Sequence, residues 1–122
     1  MGKTVHNDVL DAAHNEIKNN CNLMTLCSQE PTTRTEAVTT YALADVAMTS
    51  DDFEIADGDV SGRKCTVAEK AAVDVDADGL ASHVALCDDT RVLRVTTCTE
   101  QQVYTGNTVT FPSWKFEIQD PT

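Results

Sequence analysis

The sequence predicts a mostly β fold: an antiparallel β-sandwich or open barrel with one N-terminal α-helix. Three observations carry that expectation. From Val46 to Ile118, apolar residues recur at every second position in short runs. Turn-forming clusters separate the runs: Asp57-Gly58-Asp59, Asp76-Ala77-Asp78-Gly79, Asp88-Asp89-Thr90 and Thr105-Gly106-Asn107. The stretch with helical spacing, built on Val9, Ala13 and Ile17, lies ahead of them. A period of two gives each strand one buried and one wet face, as in an antiparallel sheet packed on one side. About six to eight such strands make a sandwich or barrel.

Taken in order, residues 1–6 read as an N-terminal arm and residues 7–19 as the helix. Leu10 widens the apolar stripe, and Val5 lies one turn earlier. Asn7 is the expected N-cap, Asp8 and Asp11 complement the positive end of the helix dipole, and Lys18 suits the other end. Asn19-Asn20 can stop the helix in a left-handed turn. The stripe is narrow and partly alanine, so the helix must pack on something larger. A β-like run follows, Leu23 to Cys27, and then the loop Ser28-Gln29-Glu30-Pro31. Thr33 with Glu36 has the form of a capping box, which places one or two helical turns around Arg34 to Thr40. The alternating pairs come next: Val46 and Met48, Phe53 and Ile55, Cys65 and Val67, Val73 and Val75. Val84 and Leu86, Leu93 and Val95, and Val109 and Phe111 continue the series. Trp114, Phe116 and Ile118 finish it, with Lys115, Glu117 and Gln119 between and after them.

The 122 residues make one domain, with no repeat or linker to split it. With 41 % hydrophobic but 5 % aromatic residues, the core must be built mainly from Val, Leu, Ile, Ala and Cys. The net charge is −11 and the pI about 4.4. Lys and Arg are few and scattered, Arg63-Lys64 being their adjacent pair, so nucleic acid and anionic membrane are poor partners. An assembling surface on such a chain should be less acidic than the rest. The five cysteines (Cys21, Cys27, Cys65, Cys87 and Cys98) lack a C-x-x-C pair and sit beside β-type residues, so they read as reduced core residues rather than a disulfide framework. The N-terminal residues lack the apolar core and cleavage pattern of a leader, and no apolar run nears the roughly 20 residues of a membrane span.

Candidate chemistry is sparse. Asp74-Val75-Asp76-Ala77-Asp78-Gly79 matches the opening of a calcium loop, which makes Asp74, Asp76 and Asp78 weak candidate metal ligands. Calcium needs about six to eight oxygens, and the twelfth loop position, normally a bidentate Glu, is Ala85. A hairpin turn with its acids in water is the better reading, and Asp51-Asp52, Asp57, Asp59 and Asp88-Asp89 read likewise. Ser61 lacks a nucleophile elbow. His6 and His14 are expected on the exposed side of the helix, and His83 is expected to be structural. Cys87 and His83 are four apart on a strand, about 13 Å, too far for a hydrogen bond. Gly2-Lys3-Thr4 imitates the tail of a phosphate loop without the residues before it, and the cysteine spacing fits no zinc site. Phe111, Trp114, Phe116 and Ile118 read as core, with Trp114 the candidate exception.

The order of elements resembles a group of small phage virion proteins described as head decoration (cement) or tail-fibre-like proteins. The matching stretches are Asn7 to Ile17, Leu23 to Cys27, Pro31-Thr32-Thr33, Asp57 to Lys64, Gly79 to Leu86 and Gly106 to Pro112. Cys65 and Cys87 depart from the pattern, standing where Ala or Val is expected. The resemblance implies a β-sandwich virion component with no cofactor and no catalytic residues. Its partners would be the major capsid protein and other copies of itself, as a homo-oligomer on the particle, with the arm Met1 to His6 and exposed loops making contact. A tail-associated or host-recognition component is the alternative. A calcium-dependent binding module or small hydrolase using the turn aspartates is a third.

Overall fold

The computed structural model describes residues 3–121. Among them, helix α1 (Asn7–Asn20) precedes nine strands: β1 (Leu23–Cys27), β2 (Ala42–Ala47), β3 (Phe53–Asp57), β4 (Arg63–Val67) and β5 (Lys70–Asp74), then β6 (Gly79–Cys87), β7 (Val92–Val103), β8 (Thr108–Phe111) and β9 (Trp114–Ile118). Every pairing is antiparallel. The strands form a four-stranded sheet in the order β2-β1-β6-β7, a three-stranded sheet β3-β4-β9 and a two-stranded sheet β5-β8. A bridge between Ala44 and Val75 links the first to the last. The architecture is a mostly β, sandwich-like fold with one N-terminal helix, as the alternation predicts. The strand missing from the sequence expectation is most of β2, where Ala42, Ala44 and Ala47 leave almost no apolar-polar contrast to read.

The three-stranded sheet shows the expected period of two. Its register aligns Phe53 with Val67, and Cys65 with Ile55 and Phe116, on one face. Glu54, Lys64, Thr66 and Lys115 occupy the alternate positions. The inner face meets Met24, Leu26, Ala44, Val84 and Leu86 of the four-stranded sheet, with Val73 and Phe111 of the small sheet beside them. Burying each such side chain is worth about 1.5–3 kcal/mol against exposure. Ile118, expected in the core, is 36 % exposed because the chain leaves the sheet there.

Strands β1 and β6 depart from one-sided burial. Met24 to Cys27 and Val84 to Cys87 are buried without interruption. The second face of the four-stranded sheet is covered by a single π-helical turn, Glu36–Thr40, which brings Ala37 and Val38 against Ala85, Cys87, Leu23 and Val95. Helical turns were expected at this place, but their role as a lid was not. The capping box is half formed: the Glu36 amide donates to Thr33 Oγ1 at 3.2 Å. The Glu36 carboxylate turns to the amide and hydroxyl of Thr32, at 2.9 and 2.7 Å, which hold it below the usual carboxylate range.

Helix α1 keeps Leu10 and Ile17 of its expected face toward the protein but is rotated away from Val9 and Ala13. Val9 is 65 % exposed, Ala13 is exposed, and the buried positions are Leu10 and His14. His14 is 1 % exposed, against the expectation of a surface histidine. Its Nε2–H donates to the Arg63 carbonyl at 3.0 Å, and its ring lies 5.4 Å from that of Phe116. The Arg63 guanidinium reaches Asp11 and Asp57, each at 2.8 Å, and so fastens the helix to the β3-β4 hairpin. The N-cap is His6 rather than Asn7, its Nδ1 accepting the Asp8 amide at 3.0 Å. At the far end Cys21 leaves in an extended conformation, so no left-handed asparagine stops the helix. Of the expected contact arm, Met1 and Gly2 lie outside the described residues, as does the start of Gly2-Lys3-Thr4.

Candidate docking groove

Strand β7 is unusually long for an edge, and its sequence explains why it is a strand. Val92, Val95, Thr96, Thr97, Thr99 and Val103 are β-branched and suit a pleated, half-buried surface. Its pairing with β6 slips at two places, between Ala81 and His83 and between Leu86 and Cys87. Such bulges bend a strand and increase its twist. Edge strands are ordinarily shortened or guarded by charge and proline. Within its 12 residues β7 carries only Arg94 and Glu100.

Strand β9 is the corresponding edge of the three-stranded sheet. A groove runs beside β7, facing β8 at one end and the start of β9 at the other. One lobe, about 320 Å³, has Val84, Cys98 and Val103 facing Val109 and Phe111. The second, about 390 Å³, continues past Pro112 to Trp114 and Lys115. Val84, Cys98, Thr99, Phe111 and Pro112 line both lobes, so the two are one space. Ser113 fixes the corner between β8 and β9 by donating its hydroxyl to the Val67 carbonyl at 2.8 Å.

The lining is apolar or neutral, Lys115 excepted. The chain has 20 acidic residues, yet none lines either lobe. Lys115 is held by Asp59, which also takes Lys64. Arg94 lies opposite Leu86 and sets its guanidinium 4.3 Å from the centroid of Phe116 on β9. It thereby bridges the two edges next to the second lobe. No ion pair among the described residues involves Arg94. Trp114 packs 5.6 Å from Phe116, and its indole N–H is buried without an acceptor. Cys98 is the half-buried cysteine, and burial raises its thiol.

The residues singled out for chemistry lie elsewhere. Asp74 pairs with Thr108 in the β5-β8 ladder, and the amide of Asp76 donates to the Leu43 carbonyl at 2.7 Å. Asp78 accepts the Thr105 amide at 2.6 Å, which ties two turns together and holds its carboxyl below the usual range. All three are exposed. Among the described residues no three His, Cys, Asp or Glu side chains converge as a metal group. Ser61 Oγ accepts the Asp120 amide at 3.1 Å. Ser82 Oγ donates to the Ser28 carbonyl at 3.0 Å and lies 2.7 Å from His83 Nδ1. With its own proton committed, the hydroxyl accepts from Nδ1–H, so His83 is not placed as a base toward it. Burial pushes the thiols of Cys65 and Cys87 up to about 11, and raises those of Cys21 and Cys27, which keeps all four protonated.

Two turn acids break expectation: Asp52, withdrawn into an ion pair with Lys70, and Asp88. Asp88 is 8 % exposed and accepts the amides of Thr90 and Arg91, at 2.8 and 2.5 Å, together with the Arg91 guanidinium. It builds the β6-β7 turn from which the long edge departs. The groove itself escaped sequence reasoning; the readable signal was a long Val/Thr-rich run almost free of charge within an acidic chain. No protein-family model, no curated protein and no solved structure matches this chain.

Proposed function

We propose that this protein is a non-catalytic docking protein that attaches to a larger assembly through the β7 groove, and that the assembly is a phage head that it decorates. The observation that carries the docking reading is the charge map. A chain of net charge −11 leaves the groove beside its long edge strand without an acidic lining residue, and that strand carries a single acid, Glu100. Interfaces are depleted of charge at their centres and enriched in aromatic residues. Here Phe111 and Trp114 supply the aromatic anchors. Repulsion over the remaining surface disfavours approach by other faces to an acidic partner, which favours this one orientation. The protonated, buried thiols and the donating His83 argue against hydrolytic or thiol chemistry. The head-decoration part rests on the sequence resemblance, with many copies of one weak contact adding up on a lattice.

Mixing the purified chain with phage heads and sedimenting them tests both parts. Binding at a fixed ratio to the major capsid protein, lost in Thr99→Glu at the groove, is the expected result. Recovery in tail fractions alone would transfer the protein to the tail. Recovery with neither, or head binding that Thr99→Glu leaves unchanged, would refute the proposal.

A further inference from the structure

The groove is bounded on one side by a free strand edge, so its occupant has a definable shape. A β-edge offers main-chain N–H and C=O groups along its length, and an added strand satisfies them while alternate side chains enter pockets. The two lobes beside β7 are such pockets, and their continuity along Cys98 and Thr99 fits a chain laid lengthwise rather than a compact ligand. Two residues before Thr96, which lines the second lobe, β7 carries Arg94, which lies over Phe116 and has no carboxylate partner among the described residues' ion pairs.

Building on the docking reading, we infer that the groove takes one extended segment of a different protein. That segment pairs along the free edge of β7, places small apolar side chains in the two lobes and sets an Asp or Glu side chain on Arg94. Charge complementarity selects this occupant: no acid lines either lobe, Glu100 is the one acid on β7, and Arg94, six residues along the same strand, supplies the counter-charge for a carboxylate. A second copy of the chain fits poorly. It brings another −11 charge, and the alternating apolar runs among the described residues are already committed to strands.

The experiment pans a library of random peptides of about twelve residues, the span of β7, over the full chain and over Thr99→Glu in parallel. Circular dichroism confirms that both are folded. The expected peptides alternate small apolar and polar residues and carry an acid near one end. They change the fluorescence of Trp114, the single tryptophan, and slow alkylation of Cys98. Thr99→Glu abolishes their binding, and Arg94→Gln weakens it about tenfold or more. Enriched peptides with a helical spacing, equal enrichment on both surfaces, or no enrichment would overturn the inference. So would a dimer in which Cys98 is protected before any peptide is added. Peptide binding without head binding would leave the strand slot standing and remove the virion reading; head binding lost in Thr99→Glu without peptide enrichment would do the reverse.

Discussion

Between the helix and the three-stranded sheet, the buried polar contact is one imidazole on one backbone carbonyl, flanked by the Arg63–Asp11 ion pair and by Lys18 on the Phe53 carbonyl. His14 fills a site against Phe116 and satisfies the Arg63 carbonyl. His14→Ala removes both the packing and the donor, and is expected to cost about 2–4 kcal/mol in denaturant unfolding. Val9→Ala, one turn away on the exposed face, should stay within about 0.5 kcal/mol. Similar losses for the two would contradict the helix orientation. Asp88 makes a second residue-scale case. The amide of Thr90, with the amide and guanidinium of Arg91, depresses its carboxyl from 3.8 to about 2. Its stabilising contribution is therefore complete above about pH 4 and is lost as the pH falls toward 2. Melting temperatures of the wild type should drop more steeply over that window than those of Asp88→Asn. Parallel curves would show that the carboxylate is not what holds the turn.

At the scale of elements, the β3-β4 hairpin depends on one backbone conformation. Gly62 has φ +70°, and a Cβ there would overlap the Ile118 carbonyl oxygen at the end of β9. Gly62→Ala is expected to destabilise by about 2 kcal/mol or more, read from the shift in denaturant midpoint. A neutral result would mean that β9 ends elsewhere. This turn also places Asp59 between Lys64 and Lys115, which keeps the base of the groove wall anchored to its own sheet. Strands β4 and β8 keep the period of two because one face meets water. Strands β1 and β6 do not, because the π-helical turn Glu36–Thr40 covers what would otherwise be their wet face. Buried on both sides, Leu23-Met24-Thr25-Leu26-Cys27 reads as a continuous apolar run broken only by a threonine.

For the molecule as a whole, the distribution of charge matters more than its sum. Turn aspartates crown the hairpins and are held there by backbone amides, as at Asp78 and Asp88. Asp52 is drawn into an ion pair with Lys70 at 2.8 Å. The groove of β7 against β8 and β9 has no such acids in its lining, and there the sheets stand apart. A sandwich with one open seam keeps its core while leaving a strand edge for another chain. The head-binding and peptide-panning outcomes belong to this scale, because they read the seam and not any single side chain.

What the sequence determined by itself was local: the antiparallel rhythm, the positions of the turns, the N-terminal helix and the aspartates that cap the hairpins. Each follows from backbone sterics and from which side of a short element meets water. The tertiary structure decided which helix face is buried, that a π-helical turn closes the second side of the central sheet, and that β7 leaves a groove against β8 and the start of β9. Those outcomes depend on contacts between residues far apart in the chain, such as His14 with Arg63 or Arg94 with Phe116. No local pattern encodes which distant partner a buried polar or cationic side chain will find.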